Sequence, residues 1–205
     1  MRDETIAEFL RQLAARVPAP GGGATAGLHA AQSAALLAMV ARYSDGPKYA
    51  EHADLIDRVR TEADALIDDA VALAEADADA FGAVAEAYKL PKDTDDDKLA
   101  RSAAIEAALA GAAKVPADVV QAALRLAELA EELRPVANRN VLTDVGAAAE
   151  AARAAAVTAS LNIEVNLRGI KDTDLRSSLQ GTAALTSEVT LISERVVAAV
   201  RKEIA

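Results

Sequence analysis

The segment from residue 47 to residue 89 constrains the fold most strongly. Its apolar residues recur every three or four positions, which is the spacing of one helix face and of a coiled-coil seam. The seam positions are Leu55, Val59, Ala63, Leu66, Ala70, Leu73, Asp77, Ala80, Val84 and Ala87. At 1.5 Å per residue such a helix spans roughly 60 Å. The segment therefore predicts one very long helix.

The rest of the chain shows the same helical periodicity, and most of the breaks fall at Pro or Gly. The predicted helices cover about 3–16, 24–44, 47–89, 95–113, 116–134, 139–168 and 173–204. No alternating β pattern, repeat or low-complexity linker divides the chain. We therefore expect an all-α fold: a single-domain bundle of about seven helices over residues 1–205.

The apolar residues are mostly small. They make up 52 % of the chain, but aromatic residues only 2 %, and alanine supplies much of the difference. Alanine is the best helix former but buries little area, at about 25 cal/mol per Å² of apolar surface. A monomer with such a core would be thinly stabilised, so we expect a homo-oligomer with further burial between subunits.

Charge and residue usage exclude several classes of protein. The net charge of −10 and the lack of a basic face argue against nucleic-acid binding, and the absence of cysteine excludes disulfides and thiolate catalysis. The N-terminal residues lack an apolar signal core, which predicts a cytoplasmic protein. The apolar run 24–41 approaches the length of a membrane span, but it contains His29, Gln32 and Ser33. We interpret it as a buried core helix and expect no membrane association.

Familiar sites are absent from the sequence. The spacing Gly22-x4-Gly27 is followed by Leu28 rather than Lys, so it is not a phosphate-binding P-loop. Neither His29 nor His52 follows a Glu at the three-residue spacing of a diiron bundle. We expect no metal site.

The turn Pro18-Ala19-Pro20-Gly21-Gly22-Gly23 stands before the second predicted helix. One interpretation is a tight turn between helices, with Pro restricting φ and Gly relaxing it. The other is ligand contact, because consecutive glycines at a helix N-terminus leave backbone N–H groups open to an anion or polar ligand. The residues alone leave both interpretations open.

Asp77 occupies a seam position of the long helix, among Leu73, Ala80 and Val84. A carboxylate there either reaches solvent or an Arg at the edge of the seam, or it lies in a partly dry site where it can act as a base or counter-ion. Arg101, in the following helix, gains interest only near Asp77 or an acidic ligand.

The sixth predicted helix carries an unusual number of polar residues. Asp144 and Asn162 lie five turns apart on one face, roughly 27 Å along the axis, so they cannot touch one small reacting group. Asn166 lies close to Asn162, while Asn138 and Asn140 precede the helix, where N-capping is their simplest role.

Together these residues resemble a known family. The matching segments, in order, are Pro18-Ala-Pro-Gly-Gly-Gly23, Ala34 to Val40, Asp77-Ala-Asp-Ala-Phe81, Tyr88-Lys-Leu-Pro-Lys92, Arg101, Ala113-Lys-Val-Pro116, Asn138 to Val145 and Asn162-Ile-Glu-Val-Asn166-Leu167. The chain resembles the C-terminal domain family of formiminotransferase-cyclodeaminase, which includes stand-alone methenyltetrahydrofolate cyclohydrolases.

The resemblance implies a homodimer that takes a tetrahydrofolate derivative as substrate and needs no prosthetic group. Asp77 is the first candidate for the catalytic carboxylate and Asp144 the second. Polar contacts to the substrate are expected from Asn138, Asn162 and Asn166. The backbone of Gly21, Gly22 and Gly23, with Arg101 or Lys92, is expected to hold the carboxylates of the folate glutamate tail.

Three functions remain open at this point. The first expectation is a formiminotetrahydrofolate cyclodeaminase, which releases ammonia and forms 5,10-methenyltetrahydrofolate. The second is a cyclohydrolase that hydrolyses the methenyl compound on the same scaffold. The third is a non-catalytic helical protein that binds a ligand or assembles.

Overall fold

The computed structural model describes residues 2–205, and this part of the chain contains helices and no strand. The helices are α1 Ile6–Leu13, α2 Gly22–Tyr43, α3 Ala53–Lys89, α4 Asp95–Leu133, α5 Leu142–Leu167 and α6 Thr173–Ile204. Short 3₁₀ turns at Pro47–His52, Arg134–Val136 and Arg139–Val141 join them. The all-α prediction is confirmed.

Helix α4 corrects the predicted helix boundaries. The sequence places a break at Val115-Pro116, but the structure continues through Pro116 as one helix of 39 residues. A proline inside a helix removes one hydrogen bond and crowds the preceding turn, at about 3 kcal/mol. Buried residues on both sides, Ala113 and Ala117 among them, keep the two halves packed in one line. Two predicted helices are therefore one, and residues 2–205 contain six α-helices.

Helix α3 is nearly as long as predicted. Pro47 begins a 3₁₀ turn instead of the helix itself, and the α-helix begins at Ala53 and has 37 residues, roughly 55 Å. Of the predicted seam, Val59, Ala63 and Ala70 are fully buried. Ile56 and Ala74 are buried as well, because α3 packs against α2 on one side and α4 on another.

Helix α2 lies at the centre of the bundle, between α3 and α5. It is long and apolar enough by composition to cross a membrane, yet 61 % of its apolar window is buried inside the fold. Gly27 sets the spacing of α2 and α3, because a Cβ added there would lie 2.8 Å from both the backbone nitrogen and the Cβ of Ala74. The expectation that this helix is a core helix agrees with its packing.

Helix α5 completes the core, with α2, α4 and α6 around it. Its buried residues are mainly alanines, so neighbouring helices approach its backbone closely enough for side-chain hydroxyls to bond it. The Ser33 hydroxyl donates to the carbonyl of Ala148 and the Ser193 hydroxyl to that of Ala149, each at 2.8 Å. These bonds satisfy two buried hydroxyls that would otherwise destabilise the core.

Candidate functional site

The glycine turn leads directly into α2. Gly21 is the N-cap residue and has no side chain to cap the first turn. Its carbonyl accepts a 2.9 Å hydrogen bond from the Thr25 hydroxyl, which fixes the turn to the helix. Gly21 therefore provides no side-chain cap for the first N–H groups of α2, which lie at the positive end of the helix dipole.

Asp77 of α3 supplies the group that meets this helix end. A Cβ added to Gly23 would lie 2.0 Å from Asp77 Oδ1, so the carboxylate occupies the space that any other residue would fill. The backbone N–H of Ala24 donates to the same carboxylate. The glycine turn is thus both a turn and a contact surface, with the close approach required at Gly23.

The environment of Asp77 perturbs its acidity. Burial raises the pKa of the Asp77 carboxyl above its ordinary range, because the charged form loses water, and the hydrogen bond from Ala24 opposes that shift without cancelling it. A half-buried carboxyl with a raised pKa is more readily protonated than an exposed one, which suits it to proton transfer.

Helix α5 contributes two asparagines to the opposite side of the site. The Asn162 side-chain amide donates to the Thr158 carbonyl at 2.8 Å, and that of Asn166 to the Asn162 carbonyl at 2.9 Å. Asn162 also lies against the glycine turn, since a Cβ on Gly22 would be 3.7 Å from its Nδ2. One N–H of each amide is used in this way, so each amide keeps its Oδ1 and a second N–H for a ligand.

These elements enclose a cleft of about 170 Å³. Its walls are formed by Pro18, Ala19, Gly21, Gly22, Gly23, Asp77, Phe81, Val84, Ala112, Asn162, Val165 and Asn166. Asp77 is the one titratable side chain among these residues. The cleft lining therefore combines a single carboxylate, two side-chain amides, a helix N-terminus and an apolar wall.

The structure brings together the three glycines, Asp77, Asn162 and Asn166, which the family resemblance implied as site residues. The apolar residues Phe81, Val84 and Val165 were not predicted as site residues. Their signal was present in the sequence, because Phe81 and Val84 follow Asp77 by four and seven positions and so share its helix face.

Four predicted site residues lie outside the cleft lining. Asn138 has a structural role: its amide donates to the Tyr43 carbonyl at 2.7 Å, and its Oδ1 accepts from the Asn140 N–H at 3.0 Å. Asp144 is in the first turn of α5, at the far end from Asn162. Lys92 is exposed in the segment between α3 and α4.

Arg101 lies beyond the cleft, on the hairpin formed by α3 and α4. Its guanidinium carbon is 5.5 Å from the centre of the Tyr88 ring, and its Nη2 donates to the Tyr88 carbonyl at 3.1 Å. Its position separates it from the glycine turn, so the two cannot jointly hold one carboxylate.

Comparison with known proteins identifies the family of this chain. Residues 5–184 match the family model described as formiminotransferase-cyclodeaminase. Methenyltetrahydrofolate cyclohydrolase of Methylorubrum extorquens is 35 % identical over 204 residues, 98 % of each chain. The mouse formimidoyltransferase-cyclodeaminase is 33 % identical over 171 residues, but these cover 83 % of this chain and only 32 % of the mouse protein.

A solved structure resembles the whole chain. The crystal structure of formiminotetrahydrofolate cyclodeaminase from Thermotoga maritima superimposes with a TM-score of 0.88 at 26 % identity, and covers 100 % of this chain and 99 % of that one. The fold and site thus define a folate one-carbon enzyme. The chain belongs to the formiminotransferase-cyclodeaminase family, in the cyclodeaminase/cyclohydrolase branch named by these relatives.

Proposed function

We propose that the protein hydrolyses 5,10-methenyltetrahydrofolate to 10-formyltetrahydrofolate in the cleft at Asp77. The relative named methenyltetrahydrofolate cyclohydrolase supports this preference, because its identity of 35 % exceeds the 33 % of the mouse enzyme and the 26 % of the Thermotoga maritima structure. The family resemblance placed cyclodeamination first and hydrolysis second; we now prefer hydrolysis because of the 35 % identity to the relative named cyclohydrolase.

The observation that carries the proposal is the placement of Asp77 at the α2 N-terminus, in a cleft with no other titratable side chain. The methenyl bridge carries a positive charge shared by N5, the bridging carbon and N10. A carboxylate beside it stabilises that charge and accepts a proton from the attacking water.

The reaction then balances with one group. Water adds to the bridging carbon as Asp77 takes its proton, and the bond from that carbon to N5 breaks. The electron pair goes to N5, and the protonated Asp77 returns a proton there. The hydroxyl proton on the former bridging carbon is released to water, so the one-carbon unit stays on N10 as a formyl group. The Asn162 and Asn166 side-chain oxygens accept hydrogen bonds from the water or the ring N–H groups.

Cyclodeamination is the second candidate, supported by the likeness to the Thermotoga maritima structure. In that reaction N10 attacks the formimino carbon and ammonia leaves. The leaving amine needs a proton, and a carboxyl with a raised pKa supplies one more readily than an exposed Asp. Both reactions use the same carboxyl on the same one-carbon unit.

The absorbance of the methenyl compound distinguishes the candidates. Purified protein is given 5,10-methenyltetrahydrofolate or, separately, 5-formiminotetrahydrofolate. A fall with the first substrate supports hydrolysis, a rise with the second supports deamination, and no change with either contradicts both and favours the non-catalytic alternative.

The Asp77→Asn variant tests the role of the carboxyl. Turnover should fall about 10²–10⁴-fold, the usual contribution of a general acid–base group. Asp79→Asn is the matched control, because Asp79 is exposed on the same helix, outside the cleft, and the change in charge is the same. Equal losses in the two variants would contradict the assignment of Asp77.

We also propose that the chain forms a homo-oligomer through the outer face of α5. Val157 and Leu161, one turn apart and outside the cleft lining, are 38 % and 60 % exposed. Exposed apolar stripes of this kind are typical of protein interfaces. Light scattering of the protein and of Leu161→Asp tests it: a monomeric unaltered protein would contradict the proposal.

A further inference from the structure

One face of α3 continues past the cleft toward the tip of the α3–α4 hairpin. Asp77, Phe81, Val84 and Tyr88 are spaced by four, three and four residues, so they line one helix face. The first three line the cleft, while Phe81 is 48 % and Tyr88 52 % exposed. Two large aromatic side chains, Phe81 and Tyr88, are therefore exposed on the same helix face as the Asp77 carboxyl.

Arg101 ends this line. Its stacking on the Tyr88 ring and its bond to the Tyr88 carbonyl hold the guanidinium in place. Its Nε is buried and, within residues 2–205, has no hydrogen-bond partner. The fold covers this Nε, and one N–H of Nη2 is used by Tyr88, so a ligand is bound through the remaining N–H groups of the guanidinium. A carboxylate is the acceptor whose planar geometry suits a guanidinium best.

The spacing matches the shape of a folate. Eleven residues separate Asp77 from Tyr88, which is roughly 16 Å along the helix. The p-aminobenzoyl ring, about as long as two extended residues, and a glutamyl unit with its side chain together reach about 14 Å at up to ~3.6 Å per residue. With its one-carbon bridge at Asp77, an extended substrate brings its glutamate carboxylates to Arg101.

We propose that the substrate binds in an extended conformation along this face of α3. Asp77 contacts the one-carbon bridge, Phe81 packs against the p-aminobenzoyl ring, and Arg101, stacked on Tyr88, binds the glutamate tail. The inference rests on the proposed folate reaction. It assigns the tail to Arg101 and removes the glycine turn from that role, because those backbone N–H groups lie at the Asp77 end.

The test compares two substrates in Arg101→Gln. The substrates are 5,10-methenyltetrahydrofolate and the corresponding tetrahydropteroate, which lacks glutamate. We expect the KM for the folate to rise about tenfold, the effect of roughly 1.4 kcal/mol, with kcat nearly unchanged. The KM for the pteroate should already be high and should be the same in both proteins.

Two further variants separate tail binding from a structural role. Lys98→Gln removes one charge from the same hairpin at an exposed side chain that pairs with Asp95, and it should leave both KM values unchanged. Arg101→Lys keeps the charge but not the planar fork, so it should recover part of the preference for the folate. Equal increases in KM for the two substrates in Arg101→Gln would overturn the inference.

Calorimetric binding of tetrahydrofolate and tetrahydropteroate makes the test independent of turnover. If neither activity is found but Arg101→Gln loses only the preference for tetrahydrofolate, the proposed reaction fails and the tail site stands. If turnover is found without an effect of Arg101 on that preference, the reaction stands and the tail site fails. If tetrahydrofolate does not bind at all, both fail.

Discussion

The two halves of α3 differ in what surrounds them. From Ala53 to Ala74 the helix packs into the bundle, and its polar side is tied to α4 by ion pairs of Arg58 and Arg125 with Glu62 and Glu132. Beyond Asp77 the same helix faces the cleft and carries exposed aromatic side chains. A single rigid element thus anchors one half in the core and presents the other half to a ligand.

The transition between the halves occurs where α2 begins. Gly27 lets α2 touch the backbone of α3 at Ala74, and Gly23, one turn earlier, leaves space for the Asp77 carboxylate. Both glycines face α3. The space beside Gly27 is occupied by the backbone of Ala74, and the space beside Gly23 by the carboxylate of Asp77. A glycine in α2 thus allows close helix packing against the first half of α3 and makes room for the candidate catalytic carboxylate at the start of the second half.

The largest expected effect is at Gly23. In Gly23→Ala the new Cβ occupies the position of the Asp77 carboxylate, which has to rotate away and lose its bond to Ala24. Because only the end of a side chain moves, the fold should persist while turnover falls at least about 100-fold, as when a positioned acid–base group is removed. Steady-state kinetics and circular dichroism measure the two effects.

Gly181→Ala is the control for that variant, since nothing lies within 4 Å of the added Cβ on α6. It should leave turnover unchanged. Full activity in Gly23→Ala would show that the carboxylate is not needed where the structure places it.

Gly27→Ala should have the next largest effect, on stability. The added Cβ meets backbone atoms of Ala74 at 2.8 and 2.9 Å, which cannot rotate away, so α2 and α3 have to separate. We expect the free energy of unfolding to fall by about 2 kcal/mol, within the range of overpacked cores. Urea denaturation measures it, and an unchanged midpoint would mean that the helices do not depend on this contact.

Gly82→Ala should have a smaller and opposite effect. Gly82 is in the open half of α3, is exposed, and has nothing within 4 Å of an added Cβ. Alanine loses less conformational entropy in a helix, so the free energy of unfolding should rise by about 0.5–1 kcal/mol. A loss of stability comparable to that of Gly27→Ala would remove the distinction between the two halves.

The smallest effect is a pH dependence at Asp77. The pKa of this carboxyl is raised in the folded state, so the native protein binds the proton more tightly than the unfolded chain does. The charged form therefore opposes folding above the raised pKa, and this penalty disappears as pH falls below the ordinary range of Asp. Asp77→Asn should be more stable than the unaltered protein at neutral pH, with a difference that shrinks in acid.

Denaturation at a series of pH values provides the measurement for Asp77→Asn. If Asp77→Asn were less stable than the unaltered protein at neutral pH, the Asp77 carboxylate would stabilise the fold. That result would contradict the conclusion that its burial is unfavourable. The same raised pKa predicts that the rate of hydrolysis falls as acid protonates the base.

Much of the fold was predictable because it depends on local patterns. Helix α3 ends just before Pro91, and α4 begins after the N-cap residue Thr94. The Thr94 hydroxyl accepts a hydrogen bond from the Asp97 N–H, and the Asp97 carboxylate accepts one from the Thr94 N–H. The break expected at Pro116 was wrong because packing on both sides outweighs the local penalty. Local signals locate helix ends well where the chain is exposed and less well in the core.

The candidate site was predictable in part for the same reason. Asp77 stood out as a charged residue among apolar seam positions, and the glycines stood out at a helix start. Asn138 had the residue type expected of a ligand contact, but its bonds to Tyr43 and Asn140 use it within the fold. Residue type could not separate these roles, since both need the same polar groups.

The sequence by itself determined that the chain is all-α, where most of its helices end, and which family it resembles, because these depend on periodicity, caps and ordered motifs. Only the tertiary structure decided that Asp77 meets Gly23, that the two asparagines of α5 close the cleft, and that Arg101 stands at the end of its α3 face. The physical reason is that helix contacts depend on how closely the backbones approach. At Gly23 and Gly27 the close approach is possible because glycine has no side chain. The residues that they contact, Asp77 and Ala74, are about 50 positions away in the sequence.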